Sequence, residues 1–357
     1  MQLTRKKNPT AIAGLDIEAG SLAVTELRVN GSVEIAGTAI TPLAPGVFHE
    51  GEVLDPDALG EALKALFGSH KLSKRVRVGV GNQNVVVRTI RLPAIQDPKE
   101  MEAAVRFQAQ EQIPMPLDQA VLEYQVVGGV AAEEGASPQV DVVVVAARRD
   151  MISSLLEPLD RAGLEPVGID LSAFAMIRAL AVPDPDLQPG ERPREAVLFC
   201  NVGDVANLAV ARGRSCLFTR VSHAGLEAVA EELAAVRGLT PEHAVQWLSY
   251  VGLERPLEQI EGDPEVVAAA RHALENGVAG LLDEIRLSLD FYGAQEDALP
   301  VGKVVLSGLG SSIPGMPKAM EERLAMPIEA TRPYALTGFE EAAAARLTLS
   351  YGLALES

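Results

Sequence analysis

The sequence predicts an α/β protein made of two related lobes that face each other across a cleft. Three observations carry this. A three-strand meander at residues 11–40 returns at residues 196–221 with the same strand count and turn position. The first strand of each meander runs directly into a glycine-bearing turn, Asp16-Ile17-Glu18-Ala19-Gly20-Ser21 in one and Asn201-Val202-Gly203-Asp204 in the other. Helical segments follow each meander, and two duplicated halves of this kind enclose one shared cleft.

Taken in order, residues 1–10 form a polar tail carrying Arg5, Lys6 and Lys7, a weak candidate for contact with an anionic membrane surface. Residues 11–16, 22–29 and 33–40 read as strands, the last two joined by Asn30-Gly31, a dipeptide suited to a tight hairpin. Asp55-Pro56 starts a helix, with an Asp cap, a proline where no amide donor is needed, and Leu59, Leu63 and Leu66 on one face. Strands follow at 76–80 and 85–92. Asp97-Pro98-Lys99-Glu100 repeats the start signal, and Pro114 and Pro116 stop the helix it opens. That helix carries Met101, Ala104, Val105, Ala109 and Ile113 on one stripe and Phe107 off it.

Strands at 121–127 and 140–147 bracket a polar loop at 132–138. A helix at 150–162, a strand at 165–169 and a helix at 172–181 come next. Residues 183–193 hold four prolines and one glycine and read as a linker. After the second meander come helices at 225–237, from Thr240-Pro241, and at 264–292, then a strand at 303–306 entering Ser307-Gly308-Leu309-Gly310-Ser311. The final helix places Phe339, Ala342, Ala343, Leu347, Tyr351 and Leu355 on one stripe, which predicts tight packing against a neighbour.

Composition narrows the function. With 31 basic against 49 acidic side chains the net charge is −18, the wrong sign for a phosphate-backbone binder, so nucleic acid is excluded as a partner. Apolar runs such as 142–147 fall far short of the ~20 residues a membrane helix needs, and the sequence shows no secretion signal, so a cytoplasmic protein without a membrane span is expected. Cys200 and Cys216 are too few for a disulfide framework. The five histidines, His49, His70, His223, His243 and His272, show no metal-ligand spacing, and no serine lies in a nucleophile elbow.

Three glycine turns are candidate phosphate loops, because glycine lets backbone amides converge on an anion. Their residues are Asp16, Gly20 and Ser21; Asn201 and Gly203; and Gly308, Leu309, Gly310 and Ser311. Each alone also reads as an ordinary turn. Asp16 could hold Mg²⁺ through water or simply cap its turn. Asp170, after the strand at 165–169, is the one candidate catalytic carboxylate, and Asp before Ser at such a turn is also common capping chemistry.

Particular segments carry a family resemblance: Gly14-Leu15-Asp16-Ile17, Glu111-Gln112-Ile113-Pro114-Met115-Pro116, Leu122-Glu123-Tyr124-Gln125-Val126, Gly168-Ile169-Asp170-Leu171, the run 285–292 and the loop 307–314. Together they resemble the PilM family of type IV pilus assembly proteins, relatives of the cell-division protein FtsA among the actin-like ATPases. The resemblance implies an actin-like, ribonuclease H-like duplicated fold. Its first lobe would span 11–84 and 164–182, with an FtsA-type subdomain inserted at 85–163. A linker at 183–194 would lead to a second lobe at 195–335, helical at about 224–295, and a helix at 336–357 would return to the first.

The likeness further implies ATP and Mg²⁺ in the cleft and, beside the inserted subdomain, a groove for the cytoplasmic N-terminal peptide of the membrane protein PilN. Phe107 is the candidate contact, with core burial as its alternative. Pilus motor ATPases are further implied partners, and attachment to the inner membrane would run through the partner. This chain departs from the family pattern where Glu18 places a carboxylate in the first phosphate loop and Asn201 replaces the Asp of the second. Both weaken phosphate and metal binding, so the expectation is a scaffold with at most weak ATPase activity. An active ATPase or kinase is the alternative. An FtsA-like filament protein is another, but it calls for an amphipathic C-terminus that Ala354-Leu355-Glu356-Ser357 does not supply.

Overall fold

The structure, a computed structural model, describes residues 11–29, 32–130, 138–182, 194–295 and 297–355. The basic tail, the Asn30-Gly31 turn, most of the loop at 132–138 and nearly all of the linker lie outside the described residues.

The chain begins with β1 (Ile12–Glu18), β2 (Ser21–Val29) and β3 (Val33–Pro42). A hairpin of β4 (Phe48–His49) and β5 (Glu52–Val53), α1 (Pro56–Ser69) and β6 (Arg75–Val80) follow. Then come β7 (Val85–Pro93), α2 (Pro98–Gln112), β8 (Ala120–Val130), β9 (Gln139–Arg148), α3 (Arg149–Arg161), β10 (Glu165–Leu171) and α4 (Ser172–Leu180). The second half holds β11 (Ala196–Val202), β12 (Ala206–Arg212), β13 (Ser215–Ser222), α5 (Leu226–Arg237), α6 (Pro241–Val251) and α7 (Pro264–Gly293). It ends with β14 (Val301–Ser307), α8 (Met316–Leu324), β15 (Ile328–Ala330) and α9 (Glu341–Ala354).

Two five-stranded sheets share one topology. Their orders are β10-β6-β1-β2-β3 and β13-β12-β11-β14-β15: an antiparallel meander extended by two parallel strands. Alternation along β11 explains why its sequence is apolar throughout. Leu198, Cys200 and Val202 face a core built with α5, α6 and α7, while Phe199 faces α4 and α9. In the first sheet Leu15, Ile17, Leu22 and Val24 pack with α1 and α3, and Ala23 faces Ala344 and Leu347 of α9.

Helix α9 therefore lies between the sheets, and a single stripe does not describe it. Leu347 and the neighbouring Phe339 and Tyr351 do share one cluster, but Thr348, Leu349, Ser350, Gly352 and Leu353 are buried as well. Glycines make this close packing possible. A Cβ at Gly14 would overlap the Ser350 carbonyl, and one at Gly352 would overlap the Ala175 carbonyl on α4. Thr25 and Ser350 satisfy each other's buried hydroxyls at 2.8 Å.

A third sheet, β7-β9-β8, stands apart with α2 on one face. Met101, Val105 and Ala109 of α2 pack on Ile90, Leu92, Val142, Val144 and Ala146. The Asp97 side chain caps the helix through the amides of Lys99 and Glu100. Phe107 points away from this core and is 69% exposed. Helix α3 leads back, and its Leu155 and Leu159 join the core of the first sheet. The β4–β5 hairpin, α8 and β15 carry no strong sequence signal, being two to nine residues long.

Candidate functional site

The two glycine turns of the meanders meet across the lobes. The register pairs Glu18 with Ser21, so the first turn is the two residues Ala19-Gly20; the second, between Val202 and Ala206, is Gly203-Asp204-Val205. Between them a cavity is walled by Asp16, Ile17 and Glu18 of β1, Phe48, Gly51 and Val53 of the hairpin, Gly79 to Gly81 after β6, Met151 and Leu155 of α3, Ser172 and Leu349, and Asp204, Val205 and Asn207. Among the described residues, no lysine or arginine lines this cavity.

The turns grip each other directly. The Ala19 amide donates to the Asp204 carboxylate, and the Glu18 carboxylate occupies the space a Cβ at Gly203 would need. Behind it, Arg346 of α9 lies 3.6 Å from Glu18 and donates to Ser21 Oγ at 3.0 Å. Asp16 is 5% exposed. Burial pushes the pKa values of Asp16 and Asp204 well above the usual carboxylate range, and the neighbouring Glu18 charge pushes both further. Burial also raises Glu18, outweighing the opposing pull of Arg346. Asn207 Oδ1 is buried without a hydrogen-bond partner and faces Gly81.

The third glycine turn serves the second rather than the cavity. Gly308 adopts φ +77°, and a Cβ there would meet Val202 O at 2.7 Å and Asn201 Nδ2 at 2.9 Å, so both its conformation and its surroundings call for glycine. Asn201 Nδ2 donates to Ser307 Oγ at 3.1 Å, Ser311 Oγ donates to Gly308 O at 2.7 Å, and Leu309 and Gly310 are buried. Gly20 is exposed. Of the nine residues expected to bind nucleotide, Asp16 alone belongs to the cavity wall.

Asp170, the candidate catalytic carboxylate, is held in an ion pair. One of its oxygens accepts from the Leu171 amide and the other pairs with Arg178, whose Nε donates to Gly352 O at 3.2 Å. It thus joins β10 to α4 and α9 and is absent from the cavity wall, where its neighbour Ser172 appears instead.

An ATP phosphate tail does not fit this arrangement. The backbone donor at Ala19 is taken by Asp204, and the Glu18 carboxylate fills the approach to Gly203. The sequence signals were Glu18 and Asn201. The roles of Asp204 and Arg346 escaped them, because each acts through a partner far away in the chain.

Comparison with known proteins places this geometry. Residues 14–357 match the family described as type IV pilus assembly protein PilM. A solved structure titled as a PilM-PilN type IV pilus biogenesis complex is 26% identical, with TM-score 0.77, covering 96% of this chain and 97% of that one. The ethanolamine utilization protein EutJ from Carboxydothermus hydrogenoformans (12% identity, TM-score 0.52, 96% of this chain and 90% of that one) shares the fold. So does MreB5 of Spiroplasma citri bound to ADP (12%, TM-score 0.52, 97% and 95%). The fold is the duplicated actin-like one. No helix among the described residues is long and apolar enough to cross a membrane.

Proposed function

This chain belongs to the PilM family of type IV pilus assembly proteins, and from that premise we propose that it is a scaffold which binds the cytoplasmic N-terminal peptide of PilN and does not turn over ATP. The observation that carries the reading is the end-to-end likeness to the PilM-PilN complex, at 26% identity over 96% of this chain. The third sheet supports it. Helix α2 is held by its own core through Met101, Val105 and Ala109, which leaves Phe107 at 69% exposure with no role in packing. An exposed aromatic on a rigid helix is an anchor for an apolar side chain of a docking peptide. Binding there ties the protein to the inner membrane through its partner, and pilus motor ATPases are further candidate partners.

The ATP and Mg²⁺ expected from the family are replaced in this reading by the protein's own side chains. Glu18, Asp204 and Arg346 hold the two loops to each other, and Asp170 is paired with Arg178. An enzyme needs a carboxylate and phosphate-stabilising donors at the γ-phosphate, and this cleft presents neither in usable form. A labelled peptide from the cognate PilN N-terminus tests the proposal by fluorescence anisotropy. Saturable binding, weakened by Phe107→Ala, is the expected result; binding that ignores that substitution contradicts the placement.

A further inference from the structure

A second seam joins the lobes at the mouth of the cleft, and its chemistry differs from the first. His49, on the β4–β5 hairpin of the first lobe, makes a 2.9 Å contact from Nδ1 to Glu227 Oε1 on α5 of the second. Glu231 follows Glu227 by one helical turn, so both carboxylates stand on one face of α5. Ligand atoms of His49, Glu227 and Glu231 all lie within 4.8 Å of one another. Beside them His223 Nδ1 is 2.9 Å from Glu50 Oε1, and His49 Nε2 is 3.9 Å from Glu50 Oε2.

We propose that His49, Glu227 and Glu231 form a binding site for a divalent transition ion of the zinc class, clamping the hairpin of the first lobe to α5 of the second. One imidazole nitrogen and two carboxylates with an open position for water match the mixed N/O coordination of zinc. The present 2.9 Å contact needs little change. Ligands at ~2.0–2.2 Å from a tetrahedral ion lie about 3.3–3.5 Å apart, so the ion replaces the shared proton after a shift of roughly half an ångström. Magnesium, which favours all-oxygen coordination and keeps its waters, is disfavoured by the imidazole. The hairpin also supplies Phe48, Gly51 and Val53 to the cleft wall, so an ion here fixes the lobes in the arrangement seen. Sequence spacing hides the site because His49 and Glu227 are 178 positions apart.

The test is calorimetric titration of the untagged, chelator-stripped full chain with Zn²⁺. It is run at pH 8, because the Glu227 hydrogen bond holds the His49 pKa above its ordinary value and the proton competes least there. One equivalent is expected to bind, at least about 100-fold more tightly than Mg²⁺, with a rise in Tm. His49→Ala and Glu231→Gln should each weaken Zn²⁺ by more than about tenfold, whereas His272→Ala, outside the cluster, should not. Glu231→Gln matters most: Glu231 is exposed and makes no ion pair or side-chain hydrogen bond among the described residues, so lost affinity there is not ascribed to misfolding. Absence of a one-equivalent site, or Zn²⁺ affinity unchanged in Glu231→Gln and His49→Ala, overturns the proposal.

Discussion

The inner and outer seams between the lobes show how one interface can be closed by two chemistries. Inside, Asp16, Glu18 and Asp204 are crowded into low-dielectric surroundings with Arg346 as the neighbouring cation, and their carboxyls are pushed towards the neutral form. Outside, His49 and His223 face Glu227 and Glu50 in contact with solvent. The inner seam sets carboxylates against the cleft wall, an arrangement that disfavours an anion. The outer seam offers nitrogen and oxygen ligands, and it works by inviting a cation.

The comparison assumes that α9 holds both sheets in place behind the seams, and breaking that support has the largest expected effect. Gly352→Val drives a side chain into the Ala175 carbonyl, in backbone rather than a flexible side chain. A loss of about 4 kcal/mol or more is expected, seen as a collapse in the yield of folded protein or a large drop in Tm. Next in size, Phe107→Ala should weaken PilN-peptide binding about tenfold, roughly 1.4 kcal/mol, while Tm moves little because the ring is exposed.

The inner seam makes a pH prediction. Carboxyls whose pKa is raised on folding bind more protons in the folded state, so their contribution is most favourable at acid pH and is lost as pH rises through the raised values. Between the ordinary carboxylate range and neutrality, wild-type Tm should therefore fall with rising pH relative to Glu18→Gln/Asp204→Asn. A gap of about 1–2 °C, which at this chain length corresponds to about 1 kcal/mol, is expected to narrow towards pH 4. The reverse slope would show that these acids are charged and satisfied. Smallest of all, Glu231→Gln should change the stability of the metal-free protein by less than about 0.5 kcal/mol in a denaturant melt.

Much of the architecture was legible in the sequence because alternation and punctuation are local. The two meanders, the Asp-Pro starts of α1 and α2 and the stripe of Met101, Val105 and Ala109 were all visible in windows of a few residues. What escaped depends on contacts across the fold. The α9 stripe named Leu347 but missed the opposite face, since a helix packed between two sheets is buried on several sides. Asp170 has the local setting of a catalytic carboxylate, but its pairing with Arg178, eight residues on, was not visible in that setting. Glu18 and Asn201 were visible as departures from a phosphate site, whereas the Asp204 latch, the Arg346 cation and the His49–Glu227 contact join residues 178 or more positions apart.

The central claim, a partner-binding scaffold whose cleft is closed by its own carboxylates, is tested most directly by one calorimetric titration. The PilN N-terminal peptide is added to the nucleotide-free protein and again in the presence of ATP and Mg²⁺, with phosphate release followed alongside. Equal peptide affinity in both, with no phosphate released, is the predicted result. Peptide binding that requires ATP, or steady phosphate release, would contradict it.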